Sequence, residues 1–399
     1  MVKIAERVQK IMPSGTLGMA QKAKELQSMG RDIISLSLGE PDFSAPENVT
    51  AAAIKAINQR QCDHYTMASG LPELRQAICD YHLKKDGLQV EPNNVAVYTG
   101  AKFALFTAFQ TLVEAGDEVL IPAPYWVSYT EQIALAQGKA VIIETEFEQE
   151  FKVTVDLLEQ YITDKTKILL LTSPSNPTGT TYSRQELTAI AEWAVEKGIF
   201  IISDEIYYEL VYDGAESVCV ASLSEEIKAQ TLVINGLSKS CAMTGWRMGY
   251  AIGPAVVIQA MNKLTAHTTS NPTVVSQYAA IEALSDRTLA SKQQMKQLFE
   301  KRIGLFEPLM NQIPGFKCHK PKGAFYLFVN ISQAMNDCNY QTASEFCLDL
   351  LEEAGVACVS GDNFGVEGFI RLSCATNEQV LTEAARRMHQ FVLSKKQNK

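Results

Sequence analysis

The sequence predicts an α/β protein whose larger part is a mostly parallel sheet covered on both faces by helices. Three observations carry this. Short apolar runs without polar alternation recur along the chain, the signature of strands buried on both sides. Amphipathic segments of helical length separate them, which suits crossover connections between parallel strands. From about Ser276 the texture changes to long polar helical segments with a few strands, which predicts a second, smaller α+β unit.

In order, "NNVAVYT" reads as a strand, "AKFALFTAFQTLVEAG" as a helix closed by Gly116, and "DEVLIP" as a strand. The alternation continues through "KAVIIET", "KILLLTS", "RQELTAIAEWAVEKG", "IFIISDE" and "TLVINGLS". One long helix is then expected from Ser276 to Gln312. It is followed by "GAFYLFVNI", a helix around Phe346 to Glu353, "GVACVSG", "GFIRLSCA" and a last helix. The amphipathic segment Leu17 to Met29 is expected to pack with this second unit. The resulting division is a large domain over residues 46–289 and a small one built from 1–45 and 290–399.

A chain of 399 residues exceeds one ordinary core, which supports two domains. The net charge of −9 argues against nucleic acid or an anionic membrane as the main partner. No apolar run approaches a membrane span, and the N-terminus lacks a signal-peptide core, so a cytoplasmic protein is expected. Nine scattered cysteines without C-x-x-C spacing read as reduced thiols, and five histidines without ligand spacing predict no metal.

Open α/β sheets bind ligands beyond the carboxyl ends of their strands, so the residues there are the candidates. "VAVYT" is followed by Gly100-Ala101-Lys102 at a helix start, where backbone N–H groups suit a phosphate. "KILLLT" leads into "SPSNPTG", which carries Asn176. "IFIIS" leads into "DEIYYEL", with Asp204 and Tyr207. "TLVIN" leads into Gly236, Ser238 and Lys239, then Arg247. Singly, each has a plainer reading: a glycine ending a strand, a proline turn, a capping aspartate, an ion-paired lysine. Together they place an anion cradle, a carboxylate and a lysine at one sheet edge.

Pyridoxal phosphate uses all three. Its phosphate needs the cradle, its ring nitrogen a carboxylate that keeps it protonated, and its aldehyde a lysine. An amine among Gly, Ser, Ala and Met has a depressed pKa, which suits both Schiff-base formation and proton transfer.

The motifs "SLSLGEPDFSAPENV", "HYTMASGLPELRQAI", "PAPYWVSYTEQ", "TSPSNPTGTTYS", "SDEIYYELVYDG", "NGLSKSCAMTGWRMGYAIGP" and "FIRLSCAT" resemble, in this order, the class I pyridoxal-phosphate-dependent aminotransferases. "PYWVSY" and "AMTGWRMGY" look most like the bacterial-type aspartate subgroup. The resemblance implies the fold type I architecture and a homodimer with its active sites at the subunit interface. It implies that Lys239 binds the cofactor covalently and shuttles protons, and that Asp204 pairs with the ring nitrogen. Tyr207 and Asn176 would bond the phenolic oxygen, and Trp126 would stack on the ring. Ala101, Lys102, Ser238 and Arg247 would hold the phosphate, with Tyr65 reaching that of the neighbouring subunit. Arg371 would grip the substrate α-carboxylate, assisted by Gly39 and Asn176. Where many relatives have serine three residues before the lysine, this chain has Gly236, which implies one phosphate contact fewer.

For a dicarboxylic substrate the resemblance implies that Lys102, with Ser14 and Thr16 from "PSGT", meets the distal carboxylate. Transfer of the amino group from L-aspartate to 2-oxoglutarate is therefore expected, and prephenate is compatible with the same residues. The alternatives are an aromatic or alanine aminotransferase, a β-eliminating relative, or a non-catalytic binding protein on the same scaffold. The complete set of lysine, aspartate and arginines speaks against the last.

Overall fold

The computed structural model describes residues 2–13 and 15–397, apart from the Thr16 side chain. Its strands, in chain order, are β1 (Ile34–Ser35), β2 (Val95–Thr99), β3 (Glu118–Pro122), β4 (Lys139–Ile143), β5 (Thr166–Thr172) and β6 (Phe200–Asp204), then β7 (Thr231–Gly236), β8 (Met248–Ile252), β9 (Tyr326–Asn330), β10 (Val356–Ala357), β11 (Val359–Ser360) and β12 (Phe369–Ser373). Seven of them form the main sheet, in the order β2-β8-β7-β6-β5-β3-β4. The pairs from β7 to β4 are parallel, and β8 alone runs antiparallel to both of its neighbours. Because of that reversal β8 begins at the edge where the other six strands end. The connection from Leu237 to Arg247 therefore stays at that edge.

Both faces of the sheet are covered, as its unbroken apolar strands require. On one face the helix Ala101–Leu112 lays Leu105, Ala108 and Phe109 against Ile121, Ile202 and Ile234. On the other, Glu47–Asn58, Pro72–Asp86 and Val274–Ala283 cover β2, β8 and β7, while Arg184–Glu196 covers β5 and β6. The last of these starts with a capping box, Ser183 and Glu186 each bonding the other's backbone.

The second unit is the antiparallel sheet β11-β12-β9, packed against the helices Leu289–Asn311, Ala343–Ala354 and Glu378–Gln397 through Phe299, Phe346 and Met388. The helix Gly15–Ser28 packs here too, with Ala23 against Ile33, Leu351 and Ala357. Parallel pairing of Ile34 with Val356 ties the early chain to this unit.

Two helical expectations need correction. The single helix from Ser276 is two, Val274–Ala283 and Leu289–Asn311. The hydroxyls of Ser285 and Thr288 donate to the Glu282 carbonyl at 2.7 and 3.0 Å, taking the acceptor that a continuing helix would use. The helix expected to run to Gly116 stops at Leu112. Its end is followed by a turn in which the Asp117 carboxylate accepts the Glu114 N–H at 2.8 Å. No helix among the described residues is long and apolar enough to cross a membrane.

Candidate active site

At the carboxyl edge of the main sheet, a cavity of about 480 Å³ opens toward the second unit. It brings together Gly39, Ala101, Lys102, Trp126, Asn176, Asp204, Tyr207, Ser238, Lys239, Arg247 and Arg371.

One end is cationic. The helix Ala101–Leu112 begins there, with Gly100 at φ +79°, a conformation glycine adopts without strain. A Cβ on Gly100 would lie 2.3 Å from Arg247 Nη2, so the glycine also makes room for the guanidinium. Arg247 Nη1 donates to the Thr244 carbonyl at 3.0 Å, which fixes the fork, and buried Ser238 lines the same cavity. A helix start, an arginine and a hydroxyl suit a phosphate. Gly236, read from sequence as one contact fewer, has a packing reason. A Cβ there would sit 2.8 Å from the Met248 carbonyl oxygen and 3.0 Å from the Gly249 Cα.

In the middle stands Lys239, whose Nζ donates to the Gly39 carbonyl at 2.5 Å. Burial pushes its amine down to about 8; Glu40 opposes the shift, while Arg371, Arg247 and Lys102 reinforce it. Across the cavity, burial pushes the Asp204 carboxyl up to about 6, although Tyr129 and the Ile206 N–H donate to it at 2.7 and 3.2 Å. No cation pairs with this carboxylate among the described residues. A protonated ring nitrogen is the kind of partner it lacks.

At the far side Arg371 is buried, with Nη1 donating to Asn176 Oδ1 at 3.0 Å and Nη2 to the Ser37 carbonyl at 2.7 Å. Its Nε is buried without a partner among the described residues, so the guanidinium has capacity for a further anion. Lys102 extends over the Trp126 ring at 4.7 Å, and burial and Arg247 together lower its pKa. Tyr65 is 88% exposed and does not line this chain's cavity. Ser14 and the Thr16 side chain lie outside the described residues.

Sequence reasoning missed Tyr129, Tyr326 and Glu40, all of which line the cavity. Tyr129 lies on the helix Ser128–Leu135, three residues after Trp126, and this spacing was a legible signal for a shared face. Tyr326 had none, since only the β9–β12 register sets it near Arg371. Glu40 accepts the Thr244 hydroxyl at 2.9 Å, a contact between segments 204 positions apart.

Behind Asp204 the next residue, Glu205, is buried and accepts bonds from Ser203 Oγ and the Val220 N–H at 2.9 and 3.0 Å. Near it, His82, Asp86 and Cys219 bring ligand-type atoms within 4.8 Å of one another. Both His82 ring nitrogens are already engaged, at 2.6 Å to Asp86 and 3.0 Å to Tyr250, so the group reads as an internal hydrogen-bond network.

Burial pushes the Glu205 carboxyl up from 4.5 to about 8. The folded state therefore binds a proton that the unfolded chain releases. The resulting stability is full below pH 4.5 and is lost as pH rises to about 8. Chemical denaturation at pH 5 and pH 9 should show the wild type losing roughly 4 kcal/mol relative to Glu205→Gln. Parallel pH dependence in the two proteins would exclude this residue as the source.

The sequence matches the family model described as "Aminotransferase class I and II" over residues 31–388. It is 49% identical to an aspartate aminotransferase of Geobacillus stearothermophilus, covering 98% of this chain and 99% of that one. It is 47% identical to an asparagine–oxo-acid transaminase of Streptococcus mutans, covering 98% of this chain and 100% of the other. Among solved structures, the aspartate aminotransferase of Thermus thermophilus with maleate superposes with a TM-score of 0.93 at 38% identity, over 98% of this chain and 100% of that one.

Proposed function

Because the chain belongs to the class I and II aminotransferase family, we propose that it is a pyridoxal-phosphate enzyme that moves the amino group of L-aspartate to 2-oxoglutarate, giving oxaloacetate and L-glutamate. The observation that carries the reading is the set of charges gathered in one cavity: Arg247 beside Gly100 at the helix start, Lys239 acting through space on the buried Asp204, and Arg371 bonded to Asn176.

The chain's residues fit pyridoxal phosphate. The helix start, Ser238 and Arg247 suit its phosphate. The buried Asp204 carboxylate suits a protonated ring nitrogen, and the depressed amine of Lys239 suits its aldehyde. When bound, the cofactor supplies a carbonyl for the amino group and a cationic ring that draws electrons from the substrate's Cα. The protein does the rest. Asp204 would pair with the ring nitrogen and keep its proton in place. Arg371 fixes the α-carboxylate as a planar fork, which orients the Cα–H bond. Lys239, with its pKa lowered to about 8, is neutral in a useful fraction near neutral pH; it would take the Cα proton of the amino donor and, in the return half-reaction, deliver one to the Cα of the acceptor. Trp126 would wall the ring site, and Tyr207 would donate to the phenolic oxygen.

The dicarboxylate assignment rests on Lys102, an ammonium at the cavity with a lowered pKa and no anion paired with it among the described residues. The maleate bound by the Thermus thermophilus relative is itself a dicarboxylate. The test is Lys102→Ala, assayed with aspartate, asparagine and alanine. A loss of about 1.5–3 kcal/mol in kcat/KM is expected for aspartate, the worth of a charge-assisted bond. The neutral side chains should be nearly unaffected. An equal loss for all three would return Lys102 to a structural role and remove the argument for aspartate.

The exposed Tyr65 supports a homodimer in which it completes the neighbour's phosphate site. Domain limits at 46–289 for the cofactor-binding part belong to the same reading, as does a cytoplasmic location.

A further inference from the structure

We propose that Tyr326 is a positioning residue that links the carboxylate-binding Arg371 to the cofactor's phenolic oxygen, acting through Tyr207. The proposal rests on the reading that Lys239 carries the cofactor.

The geometry is continuous. Tyr326 Oη lies 2.6 Å from Tyr207 Oη, both side chains are buried, and their rings meet edge to face at 5.7 Å. Phe328 pairs with Arg371 across β9 and β12, and Tyr326 is two residues before it, so Tyr326 and Arg371 share one face of the sheet. The Arg371 guanidinium stands 4.6 Å over the Tyr326 ring and 5.0 Å from Phe364. Room for the hydroxyl comes from Gly39, where a Cβ would approach Tyr326 Oη to 2.6 Å.

A phenol has one proton to give. If Tyr207 donates its proton to the phenolic oxygen, its own oxygen is left to accept. The Tyr326 hydroxyl is placed to fill that role. Donation into Tyr207 polarises it and strengthens its own outgoing bond. The guanidinium over the Tyr326 ring makes that phenol a better donor, and a carboxylate paired with Arg371 offsets the guanidinium's charge. Occupancy of the carboxylate site is thus felt two hydroxyls away, without backbone movement.

The experiment is a pH titration of the lysine-bound cofactor's absorbance, with and without maleate. It compares wild type, Tyr326→Phe, Tyr207→Phe and the double variant. Tyr326→Phe keeps the ring beneath Arg371 and should raise the midpoint by about 0.5–1 pH unit, the worth of one hydrogen bond. It should also shrink the shift caused by maleate. Tyr207→Phe should raise the midpoint further, and the double variant should match Tyr207→Phe, because Tyr326 acts only through it. Should Tyr326→Phe fail to fold, the reduced maleate shift in Tyr207→Phe reads the same coupling. A wild-type midpoint in Tyr326→Phe, or additive shifts in the double variant, would overturn the relay alone. No lysine-bound absorbance in the wild type would overturn the relay together with the reading beneath it.

Discussion

Lys239→Ala is expected to lose at least about 10⁴ in turnover, the upper range for a positioned acid–base group, or roughly 5.5 kcal/mol of barrier. The variant should still fold and still take up the cofactor, because the anion end at Ala101, Ser238 and Arg247 does not depend on the lysine. Lys239 donates to the Gly39 carbonyl and bonds no carboxylate among the described residues, so its removal breaks no ion pair, although Asp204 and Glu40 lose its through-space attraction. Borohydride reduction of the wild type followed by peptide mapping should find the label on Lys239. Label on Lys102, the other lysine at the cavity, would reassign the chemistry.

The second large effect is expected at Asp204. Asp204→Asn keeps the shape and an acceptor for Tyr129 but removes the negative charge that a protonated ring nitrogen needs. Turnover should fall by about a thousandfold, roughly 4 kcal/mol, and the melting temperature should hold or rise. The reason for the second part is burial: a carboxyl pushed up to about 6 is costly to keep ionised in the empty fold, and the amide has no such cost. Activity within tenfold of wild type would reduce Asp204 to an anchor for the Ile206 N–H and the Tyr129 hydroxyl.

Much of this site was legible because its signals are local. Apolar runs marked β5, β6 and β7, and turn or charged residues at their ends marked Asn176, Asp204 and Lys239. The features that failed were set by distant chain. Tyr326 depends on register between β9 and β12, and the break after Ala283 on two hydroxyls competing for one carbonyl. For Gly236 the sequence showed a missing contact but not the steric demand of the β7–β8 pairing that keeps the position without a side chain. Tyr65, expected to act on a neighbouring subunit, is exposed and does not line its own chain's cavity.

The bond from Arg371 to the Ser37 carbonyl joins groups 334 positions apart. During synthesis this sets an order of events. At about 5–20 residues per second, Ser37 waits roughly 15–70 s for its arginine. The β-strands and helices that carry the cationic end, Asp204 and Lys239 are all made by Ala283. A nascent chain therefore acquires its grip on an organic phosphate before it acquires any grip on an amino acid. Ribosome-stalled chains in which residue 290 has just left the exit tunnel should bind pyridoxal phosphate while failing to bind maleate, and chains that bind neither would show that the second unit is needed to close the first.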